Sequence, residues 1–284
     1  MIDETVAEIR DLRTHSSSVV AVKATRALAE LCEREFATAE EFEASLEQNA
    51  RVLRGANPSH ASLHTAMQAV QRRVREADSD TVAAARDALS EAIDAVVEEI
   101  ETAKHRAATH GAELLSDGDV ILTHDYSTTV LEAIEIATGQ GRSLDVYVTE
   151  ARPRYLGRRT ARHLAAVDGV DATLIIDSAG GHVLQSCDRM LVGMSCVVGD
   201  SLYNRVGTFQ LAAAANELDV PVAALGSSAK VVERGFAFEN EFRPAAEVLP
   251  EPAEGFGIEN PMYDATPLSL VETVLTDEGP LGEG

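Results

Sequence analysis

The sequence predicts an α/β protein, with a helical domain over residues 1–105 followed by a parallel-sheet domain over 106–284. Two observations predict it. Apolar residues in the first hundred positions recur at 3–4 spacing, without the period-two alternation of a half-buried strand. From about residue 106, short runs that are apolar throughout alternate with helical stretches. Strand–helix–strand order of this kind builds a parallel, doubly wound sheet whose strands are covered on both faces.

Within the helical half, Ile2, Val6, Ile9 and Leu12 form one stripe, and Leu63, Met67, Val70 and Val74 another. Val82, Leu89, Ile93, Val97 and Ile100 form a longer one behind the cap-like Ser79-Asp80-Thr81. Asn57-Pro58-Ser59 is a turn that feeds one of these helices. The expected strands are 120–122, 146–148, 174–176, 190–192 and 222–225. Between them lie expected helices near 128–138, 157–167, 179–186 and 207–218. The tail from 250 is Pro/Gly-rich and acidic, with one apolar stretch at Leu268–Leu275.

Twenty-four basic against 47 acidic residues leave the 284-residue chain a formal charge of −23. Such a field repels phosphate backbones, and the absence of Trp removes the usual stacking platform, so direct nucleic-acid binding is not expected. Lys23, Lys104 and Lys230 are the only lysines. Acidity with so little lysine is what a salt-adapted surface carries, and it marks habitat rather than function. Cys32, Cys187 and Cys196 have no metal spacing. No signal segment and no apolar run near 18 residues is present, so a cytoplasmic protein without metal, cofactor or membrane partner is expected.

Ligands of open parallel sheets sit beyond the carboxyl ends of the strands. Here those ends read Thr123-His124-Asp125-Tyr126-Ser127, Thr149-Glu150-Ala151-Arg152-Pro153, Asp177-Ser178-Ala179-Gly180-Gly181, Gly193-Met194-Ser195 and Gly226-Ser227-Ser228-Ala229-Lys230. Small residues there admit an anion to backbone N–H groups and helix N-termini. Arg152, Arg205 and Lys230 supply positive charge, so a small phosphorylated ligand is the expected occupant. Plainer readings stand beside these. Ser127, Ser178 and Asp177 also suit helix caps, and His124 also suits a satisfied core histidine. No dinucleotide fingerprint, Walker loop, HExxH or GxSxG occurs.

Residues 123–131 resemble the first motif of the translation initiation factor 2B alpha/beta/delta-type subunit family. Residues 146–153 with Gly157 resemble its second motif and 177–183 its third. Val192-Gly193 with Asn204-Arg205-Val206-Gly207-Thr208 resembles the fourth, and 260–267 the C-terminal one. The ordered match covers about 15–280. The resemblance implies a helical domain joined to a Rossmann-like domain and assembly into homodimers or larger homo-oligomers. The family includes sugar-phosphate isomerases, among them ribose-1,5-bisphosphate and methylthioribose-1-phosphate isomerases. It also includes non-catalytic initiation-factor subunits that keep a metabolite pocket.

In the isomerases, the resemblance places a cysteine in the first motif and an aspartate in the fourth. Here those positions hold Asp125 and Ser195. The enzymes' phosphate-binding Arg-Gly-Ala is not evident, and Ser16-Ser17-Ser18-Val19 stands near its place. The retained ligand contacts are expected at His124, Tyr126, Ser127, Arg152, Ser178, Asn204, Arg205 and Lys230. The leading expectation is therefore a regulatory, non-catalytic binder of a phosphorylated sugar or nucleotide, with an initiation factor as an open partner. The alternative is an active aldose–ketose isomerase using Asp125 with Asp177.

Overall fold

The computed structural model describes residues 2–11, 17–232, 238–251 and 254–282. Leu12 and Ser16, which the sequence placed on a stripe and in a serine run, lie outside them. The chain divides into two compact units, Met1–Ala103 and Lys104–Gly284.

The first unit is helical, with α1 (Ile2–Arg10), α2 (Ser17–Ala27), α3 (Ala39–Gly55), α4 (Ala61–Glu76) and the start of α5 (Val82–Glu113). Local chemistry sets the helix starts. The Thr38 hydroxyl accepts the Glu41 N–H at 3.2 Å, while the Glu41 carboxylate accepts the Ala37 N–H at 2.8 Å. Thr81 accepts the Ala84 N–H at 3.2 Å, as the Ser-Asp-Thr signal predicted. Asn57 accepts the Ser59 N–H at 3.2 Å and turns the chain into α4. The apolar stripes meet in one core around Phe42, Leu53, Leu63, Met67 and Leu89, none of which is exposed.

The second unit alternates β1 (Val120–His124), α6 (Thr128–Gly139), β2 (Leu144–Thr149), α7 (Gly157–Leu164), β3 (Val170–Ile175), α8 (Gly180–Leu184) and β4 (Arg189–Gly193). A hairpin of β5 (Cys196–Val198) and β6 (Ser201–Arg205) follows, then α9 (Thr208–Glu217), β7 (Val222–Leu225) and β8 (Val231–Val232). The chain closes with β9 (Tyr263–Pro267), β10 (Thr273–Thr276) and β11 (Gly279–Pro280). Seven strands form a sheet in the order β11-β10-β7-β4-β1-β2-β3, parallel except at β11. Strand order reverses between β1 and β4, the doubly wound arrangement. One face packs on α6, Leu164 of α7 and the last turns of α5, through Ala108 and Ala112. The other packs on α8, α9 and Val197 and Leu202 of the hairpin.

Three expectations are corrected. The strand expected at 174–176 is β3, which spans Val170–Ile175 and forms an edge pairing only with β2. Burial on both faces therefore fails there, with Leu174 44% and Ile176 60% exposed. The helices expected over 157–167 and 179–186 are shorter, at α7 and α8. A second sheet, β8-β5-β6-β9, was not foreseen. Its strands are two to five residues long, and β9 comes from the Pro/Gly-rich tail, ahead of its one expected apolar stretch. Among the described residues no helix is long and apolar enough to cross a membrane.

Two packing details generate predictions. A Cβ on Gly157 would stand 1.7 Å from the Thr149 carbonyl oxygen, so only glycine lets α7 start against the end of β2. Gly157→Ala should cost at least roughly 1–3 kcal/mol, while Gly139→Ala, which meets nothing within 4 Å, should be harmless in the same thermal melt. Lys230 is 6% exposed and donates from Nζ to the Met194 carbonyl at 2.9 Å. Burial pulls its ammonium group from 10.5 down to about 8. Between those values the unfolded chain holds the proton that the folded chain has lost, so this group's contribution to stability rises with pH. Lys230→Met should be more stable than wild type at pH 7 by at most on the order of 3 kcal/mol, less the lost hydrogen bond. Urea melts should show the gain shrinking as pH rises from 8 to 10.5.

Candidate active site

β1 delivers Asp125 to the carboxyl edge of the sheet in a left-handed conformation, φ 65°, which ends the strand sharply. The Thr160 hydroxyl on α7 donates to the Asp125 carbonyl at 2.6 Å and fixes that turn. Arg205, the last residue of β6, donates from Nε to Asp125 Oδ2 at 3.0 Å. Both side chains are buried, at 16% and 7% exposure. The Arg205 guanidinium also lies 5.0 Å above the Tyr263 ring, on β9. Asp264, beside it, accepts the Gly207 and Phe209 N–H groups at 2.7 and 3.1 Å and fixes the turn after Arg205. Burial raises the Asp264 carboxyl above its ordinary value, against the pull of those two N–H groups.

After β2 the chain makes a loop whose Ala151 and Arg152 N–H groups donate to the two oxygens of Asp177, at 2.8 and 2.7 Å. Asp177 thus aims the loop that carries Arg152 and Arg154. The third wall is the segment around Arg243 and Glu247. It is zipped onto the start of β9 by Arg243 N–H to the Asn260 carbonyl and Met262 N–H to the Glu241 carbonyl, both 2.8 Å. Arg152 closes the ring by donating from Nη2 to the Val248 carbonyl at 3.0 Å.

These three walls enclose a recess of about 30 Å³ that opens into a wider cleft, enough for two or three waters or one phosphate group. Arg152, Arg154, Arg205 and Arg243 line it together with two carboxylates, Asp125 and Glu247. With Glu241, which accepts from Arg243 Nη1 at 2.9 Å, four cations stand against three carboxylates and the recess keeps a net positive charge. Arg154 Nη1, Arg205 Nη1 and Arg243 Nε are buried without a hydrogen-bond partner among the described residues. Buried donors are seldom left so. The three belong to residues from separate stretches of chain that line one recess, and charge-assisted hydrogen bonds to an anion are a way to satisfy such groups.

Of the residues singled out from sequence, Asp125, Arg152 and Arg205 meet in this recess. The others do not line it. His124 is pinned at both ring nitrogens. Nε2 faces the Val206 carbonyl at 3.0 Å and so carries the proton, while Nδ1 accepts from the Thr149 hydroxyl at 2.6 Å. Tyr126 lies under the Arg159 guanidinium at 4.5 Å. Ser127 caps α6, accepting the Val130 N–H at 3.4 Å. Ser178 is exposed in the turn after β3. Asn204 is buried and donates to the Thr208 hydroxyl at 3.1 Å. Ser195 leads from β4 into the hairpin, its N–H on the Tyr203 carbonyl at 3.0 Å. Cys196 is fully buried, and burial pushes its thiol up to about 12. Lys230 is spent on Met194.

Sequence reasoning missed Arg154, Arg243 and Glu247. Arg154 shares a loop with Arg152, two positions on, and that spacing was a usable signal. Arg243 and Glu247 carry none, because the Phe242–Pro261 bridge that folds their segment onto the residues before β9 joins positions about twenty apart. Among the described residues no cluster of His, Cys, Asp and Glu is placed to hold a metal ion.

Comparison with known proteins fits this architecture. The chain is 33% identical over 98% of its length, and 88% of the relative's, to the ribose 1,5-bisphosphate isomerase of Haloferax volcanii. It is 32% identical over 85% of its length, and 72% of the relative's, to the methylthioribose-1-phosphate isomerase of Pelotomaculum thermopropionicum. The crystal structure of translation initiation factor eIF-2B from Pyrococcus horikoshii superposes with a TM-score of 0.83 at 27% identity, covering 98% of this chain and 96% of that one. Near-full-length relatives that are isomerases overturn the expectation of a non-catalytic regulatory binder, which rested on Asp125, Ser195 and the missing Arg-Gly-Ala. With that fold, this recess and a match over residues 13–282 to the initiation factor 2 subunit family, the chain belongs to that family.

Proposed function

We propose that the protein is a sugar-phosphate aldose–ketose isomerase acting on a ribose 1,5-bisphosphate-type substrate. The observation that carries the reading is the set of three unpartnered guanidinium N–H groups around a recess of phosphate size. The phosphate fills the recess and the sugar extends into the open cleft. Asp125, at its wall, then stands beside the carbon chain of an opened sugar. The ring opens at O4, the Asp125 carboxylate takes the C2 proton and returns it to C1, which keeps its phosphate on O1, and the O2 hydroxyl proton passes to O4, leaving a ketone at C2. The near-full-length isomerase relatives support the same class of reaction. Assembly into homo-oligomers belongs to this proposal, by analogy with family members.

The purified protein should convert ribose 1,5-bisphosphate to a product with a ketone carbon, seen by carbon-13 NMR. A flat spectrum across ribose 1,5-bisphosphate, methylthioribose 1-phosphate and ribose 5-phosphate would reject the reading. Arg154→Ala and Arg243→Ala each remove a charge-assisted hydrogen bond, expected to raise KM roughly 10- to 100-fold. Asp125→Asn should lose kcat by at least roughly 100-fold.

A further inference from the structure

The isomerase reading places its base, Asp125, in a backbone conformation that residues with a side chain seldom adopt. Its φ of 65° is left-handed, and such a turn persists only where the surroundings hold it. Two bonds do so. Arg205 Nε donates to the side chain at Oδ2, and the Thr160 hydroxyl donates to the main-chain carbonyl at 2.6 Å. The first alone leaves the peptide plane after Asp125 free to turn. The second fixes that plane, and with it the direction in which the Asp125 side chain leaves the strand end.

Thr160 is the fourth residue of α7 and is 2% exposed. A threonine within a helix can return its hydroxyl to the carbonyl four residues back. Thr160 instead reaches 35 residues back along the chain, to the end of β1. Gly157, without a side chain, lets α7 start against the end of β2 and so sets this hydroxyl beside β1. Thr160 does not line the recess, so it touches no substrate there. Resting on the isomerase reading, the geometry points to Thr160 as a positioning residue for the C2 proton transfer. Its hydroxyl holds the turn that sets the Asp125 carboxylate at the wall of the recess.

The phosphate contacts are held by other means. Asp177, which the sequence offered as a partner for Asp125, accepts the Ala151 and Arg152 N–H groups and so aims the loop of Arg152 and Arg154. Arg243 is held on the segment paired to the residues before β9. Loss of the Thr160 hydroxyl therefore moves the base and leaves these arginines in place. Proton abstraction needs the carboxylate within hydrogen-bond reach of the C2 proton, and a misplacement on the order of 1 Å costs roughly 100-fold in rate.

The test uses the whole chain with ribose 1,5-bisphosphate in deuterium oxide, following ketose formation and deuterium entry at C2 of recovered aldose. Each variant is assayed below its own melting temperature. Thr160→Val keeps the bulk of the side chain but sets a methyl group against the Asp125 carbonyl, so the turn must shift. It should lose kcat roughly 10- to 100-fold with KM within about threefold. Deuterium entry should fall in parallel, because Asp125 serves both. Thr160→Ser, which keeps the hydroxyl, should stay within about threefold of wild type. If Thr160→Val does not fold, Thr160→Ala, which introduces no clash, carries the same comparison. A kcat within about threefold of wild type in the folded variant without the hydroxyl overturns the proposal and leaves the isomerase reading standing. So does a loss of kcat that Thr160→Ser shares, or a loss that appears in KM alone. A wild-type protein that forms no ketose and exchanges no deuterium sinks the isomerase reading, and the role of Thr160 with it.

Discussion

The ion pair between Asp125 and Arg205 is the contact on which the site depends. It joins the end of the central strand β1 to the end of β6, in a different sheet, at 3.0 Å and almost out of solvent. Burying two charges costs several kcal/mol each, which their attraction offsets only when the geometry is good and the remaining donors are satisfied. Arg205 is supported by the Tyr263 ring and Asp125 by the Arg205 Nε–H, but Arg205 Nη1 has no hydrogen-bond partner among the described residues. In the proposed function the substrate's phosphate supplies the partner that this charge lacks among the described residues.

An acidic chain with net charge −23 concentrates four arginines around a space of about 30 Å³. The surrounding field repels anions at long range, so capture relies on short-range, desolvated contacts rather than steering. In the proposed function the donors are guanidinium groups, whose forks match phosphate oxygens, while the buried Lys230 is engaged by the Met194 carbonyl. Lys230, pulled down to about 8, braces the Met194 carbonyl from behind the sheet.

The change from thiol to carboxylate at position 125 looked, in sequence, like lost chemistry. That inference weighed two altered motif positions together with the missing Arg-Gly-Ala, and the near-full-length isomerase relatives overturn it. The recess contains a carboxylate from outside both motifs, Glu247, and in the proposed function its arginines hold the substrate's phosphate. Catalysis is a property of groups that share a space, and that space is not visible in a linear spacing.

What the sequence determined follows from periodicity and local chemistry. The helical stripes, the Thr81 cap, the Asn57 turn, the parallel order of the central strands and the placing of Asp125 and Arg152 at strand ends all rest on neighbours a few residues apart. The polar strand ends also contained the plain roles of Ser127 and His124, a cap and a pinned core histidine. Only the tertiary structure decided which polar residues face one another. Asp177 became the clamp of a loop because β3 ends beside β2. Arg243 and Glu247 became site residues because a tail with little periodicity adds β9 to a hairpin sixty residues earlier. Pairing of distant segments is set by shape and backbone hydrogen bonding, which leave almost no mark on the local order of residues.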